Sequence, residues 1–146
     1  MDSDDLKLLK MLNDDAHVPL RKMGREVGLS ISGVRRRVKE LERSNLITKY
    51  SAIIDPKKYG YGVIAFVTVD VDSRVLPELT RSLAHHHEIC ELHRTTGGQG
   101  LMMKVRARDV DSRNKFVDEY IQSFDSVKSV QTTLVMETLK ETILNL

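Results

Sequence analysis

Arg35, Arg36 and Arg37 stand side by side in a stretch, residues 20–50, that carries nine Lys/Arg against three Glu, a local balance of +6. Guanidinium groups do two kinds of work on a polyanion: they neutralise phosphates, and they pair bidentately with guanine O6 and N7 in the major groove of DNA. Residues 51–146 hold twelve basic and thirteen acidic side chains, so the charge belongs to one part of the chain and the whole is only +2. A local positive potential attracts polyanions whatever the net charge. The plain alternative is a solvated helix face, and the spacing of neighbouring residues argues against it.

Val34, Val38 and Leu41 recur at i, i+4 and i+7, the buried stripe of a helix that starts after Ser30, a good N-cap. That stripe turns Ser32, Gly33, Arg36 and Arg37 outward near the helix N-terminus, where side chains reach base edges. Arg36 and Arg37 are cast as base readers, and Ser32 as a contact to base or phosphate. Arg35, Lys39, Arg43, Arg21 and Lys22 suit phosphate, and Ser30 joins the contact set at the helix start. A helix-turn-helix also needs a small residue where its two helices cross and a residue tolerant of positive φ in the turn. Gly24 and Gly28 meet these needs, and Val34 seals the corner.

The elements that must hold this helix follow from periodicity. Leu6, Leu8, Leu9 and Leu12 mark a first helix, with Ser3 as its expected N-cap. A second runs from about Pro19 to Val27, its proline tolerated at the first position. Residues 1–47 are therefore helical, and 48–61 form a linker with a short strand at Tyr50–Ile54 and a turn at Asp55-Pro56. Residues 62–146 change character: strand Val63–Val71, helix Val75–His86, strands Ile89–Thr95 and Leu101–Ala107 around Gly97-Gly98-Gln99-Gly100, helix Val110–Phe124 and strand Val127–Leu139. The order β-α-β-β-α-β is the ferredoxin-like plan, so the fold class is α+β.

Several stretches now match a known pattern: Asp5-Leu6-Lys7-Leu8-Leu9, Val27-Gly28-Leu29-Ser30, Arg37–Arg43 and Leu46-Ile47. With Ala52–Pro56 and the hairpin from Gly97 through Leu101–Val105, they resemble the leucine-responsive/AsnC (Lrp/AsnC) family of prokaryotic regulators along essentially the whole chain. The resemblance implies a winged helix-turn-helix joined to a βαββαβ ligand-sensing (RAM) domain. It also implies homodimers through the sheet, assembly into tetramers or octamers, and a small-molecule effector. Gly97, Gly98, Gln99, Gly100 and Thr132 map to the effector region. The family hairpin reads Gly-Asp-Tyr-Asp or close to it, whereas this chain has Gly97-Gly98-Gln99-Gly100, without carboxylates or aromatic ring. A different effector, or none, is the consequence.

Other constellations lead nowhere. His85–His87, Cys90 and His93 are soft-metal donor types but match no paired zinc spacing. Asp14-Asp15 and Asp70/Asp72 fall at element ends, where carboxylates cap turns. No phosphate loop or activated nucleophile occurs, so neither catalysis nor a cofactor is expected. The longest apolar run, Val63–Val69, is too short to span a bilayer. The lack of a leader pattern and the single Cys90 agree with a cytoplasmic chain. Three functions stay open: a sequence-specific transcriptional regulator on double-stranded DNA, an architectural protein binding DNA with little sequence preference, and a small-molecule-binding or enzymatic ferredoxin-like domain with a vestigial helix-turn-helix.

Overall fold

The structure is a computed structural model that describes residues 1–97 and 100–144. The chain divides into two compact units, Met1–Ile53 with the C-terminal residues from Glu141, and Ile54–Lys140.

Among its described residues, the first unit has three helices: α1 (Ser3–Asp14), α2 (Leu20–Val27) and α3 (Ile31–Arg43). Asp2, not Ser3, caps α1. Its carboxylate accepts the N–H groups of Asp4 and Asp5, while Asp5 accepts the N–H of Asp2 in return. This reciprocal box satisfies helix-end donors that would otherwise be orphaned. Pro19 is the cap residue of α2 rather than its first turn. Leu8, Met23 and Val34, one from each helix, are fully buried at the centre, with Met11, Leu12, Val18, Leu20, Val27, Leu29 and Val38 packed around them.

The turn between α2 and α3 is built as the glycines require. Gly28 ends α2 in the left-handed region at φ 70° and donates its N–H to Gly24 O. Ser30 then caps α3, its Oγ accepting the Gly33 N–H at 3.1 Å. Ser30→Ala is expected to cost about 1 kcal/mol, the usual worth of an N-cap hydroxyl, read as a lower melting temperature of the first unit.

The expected strand at Tyr50–Ile54 does not form. No strand among the described residues lies alongside it, and Tyr50 instead donates its hydroxyl back to Glu42 on α3 at 2.9 Å. Burial, with help from Glu42, pushes the Tyr50 phenol up to about 12. Asp55-Pro56 opens a one-turn helix, α4 (Pro56–Tyr59), with the Asp55 carboxylate accepting the N–H groups of Lys57 and Lys58.

The second unit is a four-stranded antiparallel sheet in the order β2-β3-β1-β4, from β1 (Val63–Val71), β2 (Ile89–Arg94), β3 (Leu101–Ala107) and β4 (Val127–Leu134). Helices α5 (Leu76–Leu83) and α6 (Val110–Val117), with a π turn at Asp118–Gln122, supply the partners of its buried face. Ala65, Val67 and Val69 alternate inward on β1, Leu101, Met103 and Val105 on β3, against Leu79, Leu83, Phe116 and Ile121. Each of these side chains larger than alanine contributes about 1.5–3 kcal/mol by leaving water.

Three boundaries fall short of the sequence expectation, each for a local reason. Helix α5 stops at Leu83 because the N–H groups of His86 and Ile89 bond back to Leu83 and His86, turning the chain into β2. Helix α6 gives way at Asp118 to the π turn that keeps Ile121 buried. Strand β4 ends at Leu134, opposite Ala65; Val135 donates one more bond to Ile64 O, and in this register β1, which begins at Val63, has no residue left for 137–139. Met136 and Leu139 are consequently exposed.

Candidate nucleic-acid interface

Helix α3 divides its residues cleanly. Val34 and Leu41 are buried and Val38 half-buried. On the opposite side Ser32, Arg36, Lys39 and Arg43 recur at i, i+4, i+7 and i+11, all exposed, with Arg35 exposed on the flank. Among the described residues Arg35, Arg36, Lys39 and Arg43 make no hydrogen bond or ion pair within the protein. Arg21 and Lys22 are exposed on the first turn of α2. A cationic stripe of this kind is open to an external polyanion.

Arg37, expected with Arg36 as a candidate base reader, is engaged within the protein. Its Nη1 donates to Asp2 Oδ2 at 2.7 Å and to Asp5 Oδ1 at 2.8 Å, with Asp4 Oδ2 at 4.0 Å from Nη2. The side chain keeps 23% of its exposure and that of Asp5 only 16%. The hydrogen bonds to Asp2 and then Asp5 raise the Arg37 pKa further, so the group stays charged. The sequence does carry a signal for this. Val34, Arg37 and Leu41 are spaced three and four apart, which sets Arg37 beside the buried stripe, and three carboxylates crowd the start of the chain. Ser30 and Gly33 are likewise engaged with each other at the α3 cap, and Ser32 Oγ lies 3.0 Å from Ser30 Oγ.

The model of the AsnC-type helix-turn-helix domain matches residues 1–42, and that of the Lrp/AsnC ligand-binding domain residues 64–144. The chain belongs to the Lrp/AsnC family. A relative from Pyrococcus horikoshii, named HTH-type transcriptional regulator FL11, is 36% identical over 97% of this chain and 93% of its own length. Escherichia coli AsnC superposes with a TM-score of 0.92 at 24% identity, covering 99% of this chain and 97% of that one. A Neisseria meningitidis transcriptional regulator solved with L-methionine gives 0.92 at 23% identity, over 98% and 94%.

Of the residues mapped onto the family's effector region, the described ones lie in different parts of the second unit. Gly97 takes φ 103°, and Gly100 lies against Val71 and Leu76, while Gly98 and Gln99 lie outside the described residues. Thr132 sits on β4 opposite Val67, whose other neighbour is Met103. The width of β1 thus separates Thr132 from the hairpin, about 10 Å at the usual strand spacing. At the hairpin end of the sheet, an open cleft of about 470 Å³ is lined by Asp72, Arg74, Val75, Asp125, Ser126 and Lys128. Arg74 forks onto Asp72 at 3.1 and 2.9 Å and holds that carboxyl below its usual range.

Two of the three histidines before β2 lie near Glu88. His87 Nδ1 and His86 Nδ1 lie 3.3 and 3.9 Å from Glu88 Oε2, and the His86 ring packs on Phe116 and Tyr120. Cys90 is exposed at the bulge of β2. Among the described residues no three His, Cys, Asp or Glu side chains are gathered as a metal ion requires, and no helix is long and apolar enough to cross a membrane.

Proposed function

We propose that this Lrp/AsnC chain is a DNA-binding transcriptional regulator that reads the major groove of duplex DNA with α3. The observation that carries this is the exposed stripe Ser32–Arg36–Lys39–Arg43, opposite Val34 and Leu41 on a helix held by a glycine turn. Arg36 is the base reader, with Ser32 beside it. Arg35, Lys39, Arg43, Arg21 and Lys22 bind phosphates, which set register and supply the salt-dependent part of the affinity. Residues 1–47 do the reading, 48–61 connect, and 62–146 sense and assemble, in the cytoplasm and without catalysis.

A homodimer suits this reading. One three-helix unit offers few contacts, and paired units match two half-sites a helical turn apart. The sheet face away from α5 and α6 carries Phe66 and Met102, each still 39% exposed, which a second copy would cover. Tetramers or octamers follow by further assembly. A small-molecule effector would act at the hairpin end of the sheet, where Arg74, Lys128, Asp72 and Asp125 line the cleft. The charges there suit a zwitterion or a small anion better than an apolar ligand.

The test is selection of duplexes by the full-length protein from a random pool. Enrichment of one pseudopalindromic sequence is expected, bound at least 1,000-fold more tightly than a scrambled duplex, on the order of a specific regulator. Binding without enrichment would replace this reading with that of an architectural DNA-binding protein.

A further inference from the structure

We infer that the acidic N-terminus is a specificity determinant of the DNA interface: Asp2 and Asp5 withdraw Arg37 from DNA and make it the positioning residue that fixes α3 against α1. The inference rests on the DNA-reading role of α3 but assigns Arg37 and the first residues of the chain a part of their own.

The geometry is a closed set of contacts between two helices. Asp2 divides its carboxylate, Oδ1 capping α1 through the N–H groups of Asp4 and Asp5, Oδ2 accepting from Arg37. Asp5 does the same in reverse, Oδ2 accepting the Asp2 N–H and Oδ1 accepting from Arg37. Arg37 Nη1 therefore joins the middle of α3 to the first turn of α1 at two points. A packed apolar contact tolerates sliding, whereas two short charged hydrogen bonds fix angle and register together. Arg36, the next residue back, takes its direction from that register. A shift of α3 by about 1 Å would move a bidentate donor off guanine O6 and N7, because the useful range of such bonds spans only a few tenths of an ångström.

Charge gives the second consequence. Asp2, Asp4 and Asp5 place three carboxylates around one guanidinium. The α1 N-terminus stabilises part of that negative charge. What remains adds no attraction for phosphate, so Arg37 contributes nothing to nonspecific affinity although it stands within the arginine run. Free of its acids, the same group would add one mobile cation beside the reading stripe, with affinity for every sequence alike.

The experiment measures binding to the duplex enriched by the wild-type protein and to a scrambled duplex, from 50 to 300 mM salt. Four proteins are compared: wild type, Arg37→Ala, Arg37→Lys, and the double variant Asp2→Asn with Asp5→Asn. The asparagines keep an oxygen for the helix cap, so this variant reports on Arg37 even where Arg37→Ala fails to fold. Arg37→Ala is expected to leave the salt slope on scrambled DNA unchanged while lowering the enriched-to-scrambled ratio about tenfold. Arg37→Lys, which keeps the charge but not the planar guanidinium, recovers part of that ratio. The double Asn variant is expected to steepen the slope on scrambled DNA by about one, the increment for one added phosphate contact, and to bind it several-fold more tightly at reduced ratio. A slope flattened by about one in Arg37→Ala would make Arg37 a phosphate contact and overturn the inference. So would a double variant that matches wild type in slope and ratio. A wild-type chain that enriches no duplex would instead overturn the DNA reading itself.

Discussion

Arg36→Ala is expected to weaken binding to the enriched duplex by about 10- to 100-fold, the 1–3 kcal/mol of one bidentate base contact, and to leave protein stability where it was. The two halves of this expectation come from one observation. Arg36 is exposed on the outward stripe of α3 and has no partner among the described residues, so folding does not use it. Its fork is free for a base edge, and alanine retains the helix. The loss should fall on the enriched duplex far more than on the scrambled one, and selection with the variant should relax preference at one base step in each half-site. Arg35→Ala gives the contrast. Arg35 lies on the flank of the stripe, so its removal should lower both affinities together and flatten the salt slope by about one. Fluorescence anisotropy on both duplexes across a salt series separates the two patterns. Equal losses on both duplexes for Arg36→Ala would move that residue to the phosphates and leave the base-reading role without an owner on α3.

The contrast between Arg36 and Arg37 marks where the sequence was legible. Periodicity found all three helices of the first unit and the order of strands and helices in the second, and the needs of a helix-turn-helix picked out Gly24 and Gly28. These signals are local: Val34, Val38 and Leu41 repeat at helical spacing, and Val63–Val71 is β-branched at six of its nine positions. The partner of Arg37 was not local, since it lies 32 to 35 residues earlier. Charge density treats the three arginines as equivalent, and only the meeting of α1 with α3 separates them. The same holds for boundaries. Strand β4 reads as continuing to Leu139, yet a strand lasts only as long as the neighbour it pairs with, and β1 has no residue to offer beyond its start at Val63. Tyr50–Ile54 has strand-forming residues but pairs with no strand among the described residues, and an unpaired strand does not persist. The effector region was legible only by likeness. Gly97 and Gly100 fall between β2 and β3 while Thr132 sits on β4 with β1 in between, an arrangement that periodicity does not report.

Gly24→Ala tests the feature on which the DNA interface depends, and here two opposing effects must be weighed. In an ordinary helix interior this change stabilises by about 1 kcal/mol, because glycine loses more backbone entropy than alanine. At position 24, however, an added Cβ would stand 2.5 Å from Leu29 O and 3.6 Å from Leu29 C and Val34 Cγ2. The nearest obstacle is backbone, held in place because the Leu29 N–H donates to Gly24 O at 2.9 Å. Relief therefore requires the turn to open, which moves α3 away from α2. Overpacking of a tight site costs about 1–3 kcal/mol and more where backbone must shift, so it outweighs the propensity gain. The first unit has little to set against this, since its fully buried centre is Leu8, Met23 and Val34. Gly24→Ala is expected to speed amide exchange across residues 1–53 and to abolish binding to the enriched duplex, while strands β1 and β3 stay protected. Gly28→Ala isolates the other term: no atom lies within 4 Å of the added carbon, and only the φ of 70° opposes it. That strain costs about 1–2 kcal/mol, so weakened but measurable DNA binding should remain. Hydrogen exchange resolved by segment distinguishes the two variants. If Gly24→Ala protects residues 20–43 as well as the wild type does, the close approach of Leu29 to Gly24 is not what positions α3, and Arg36 owes its direction to the Arg37 clamp alone.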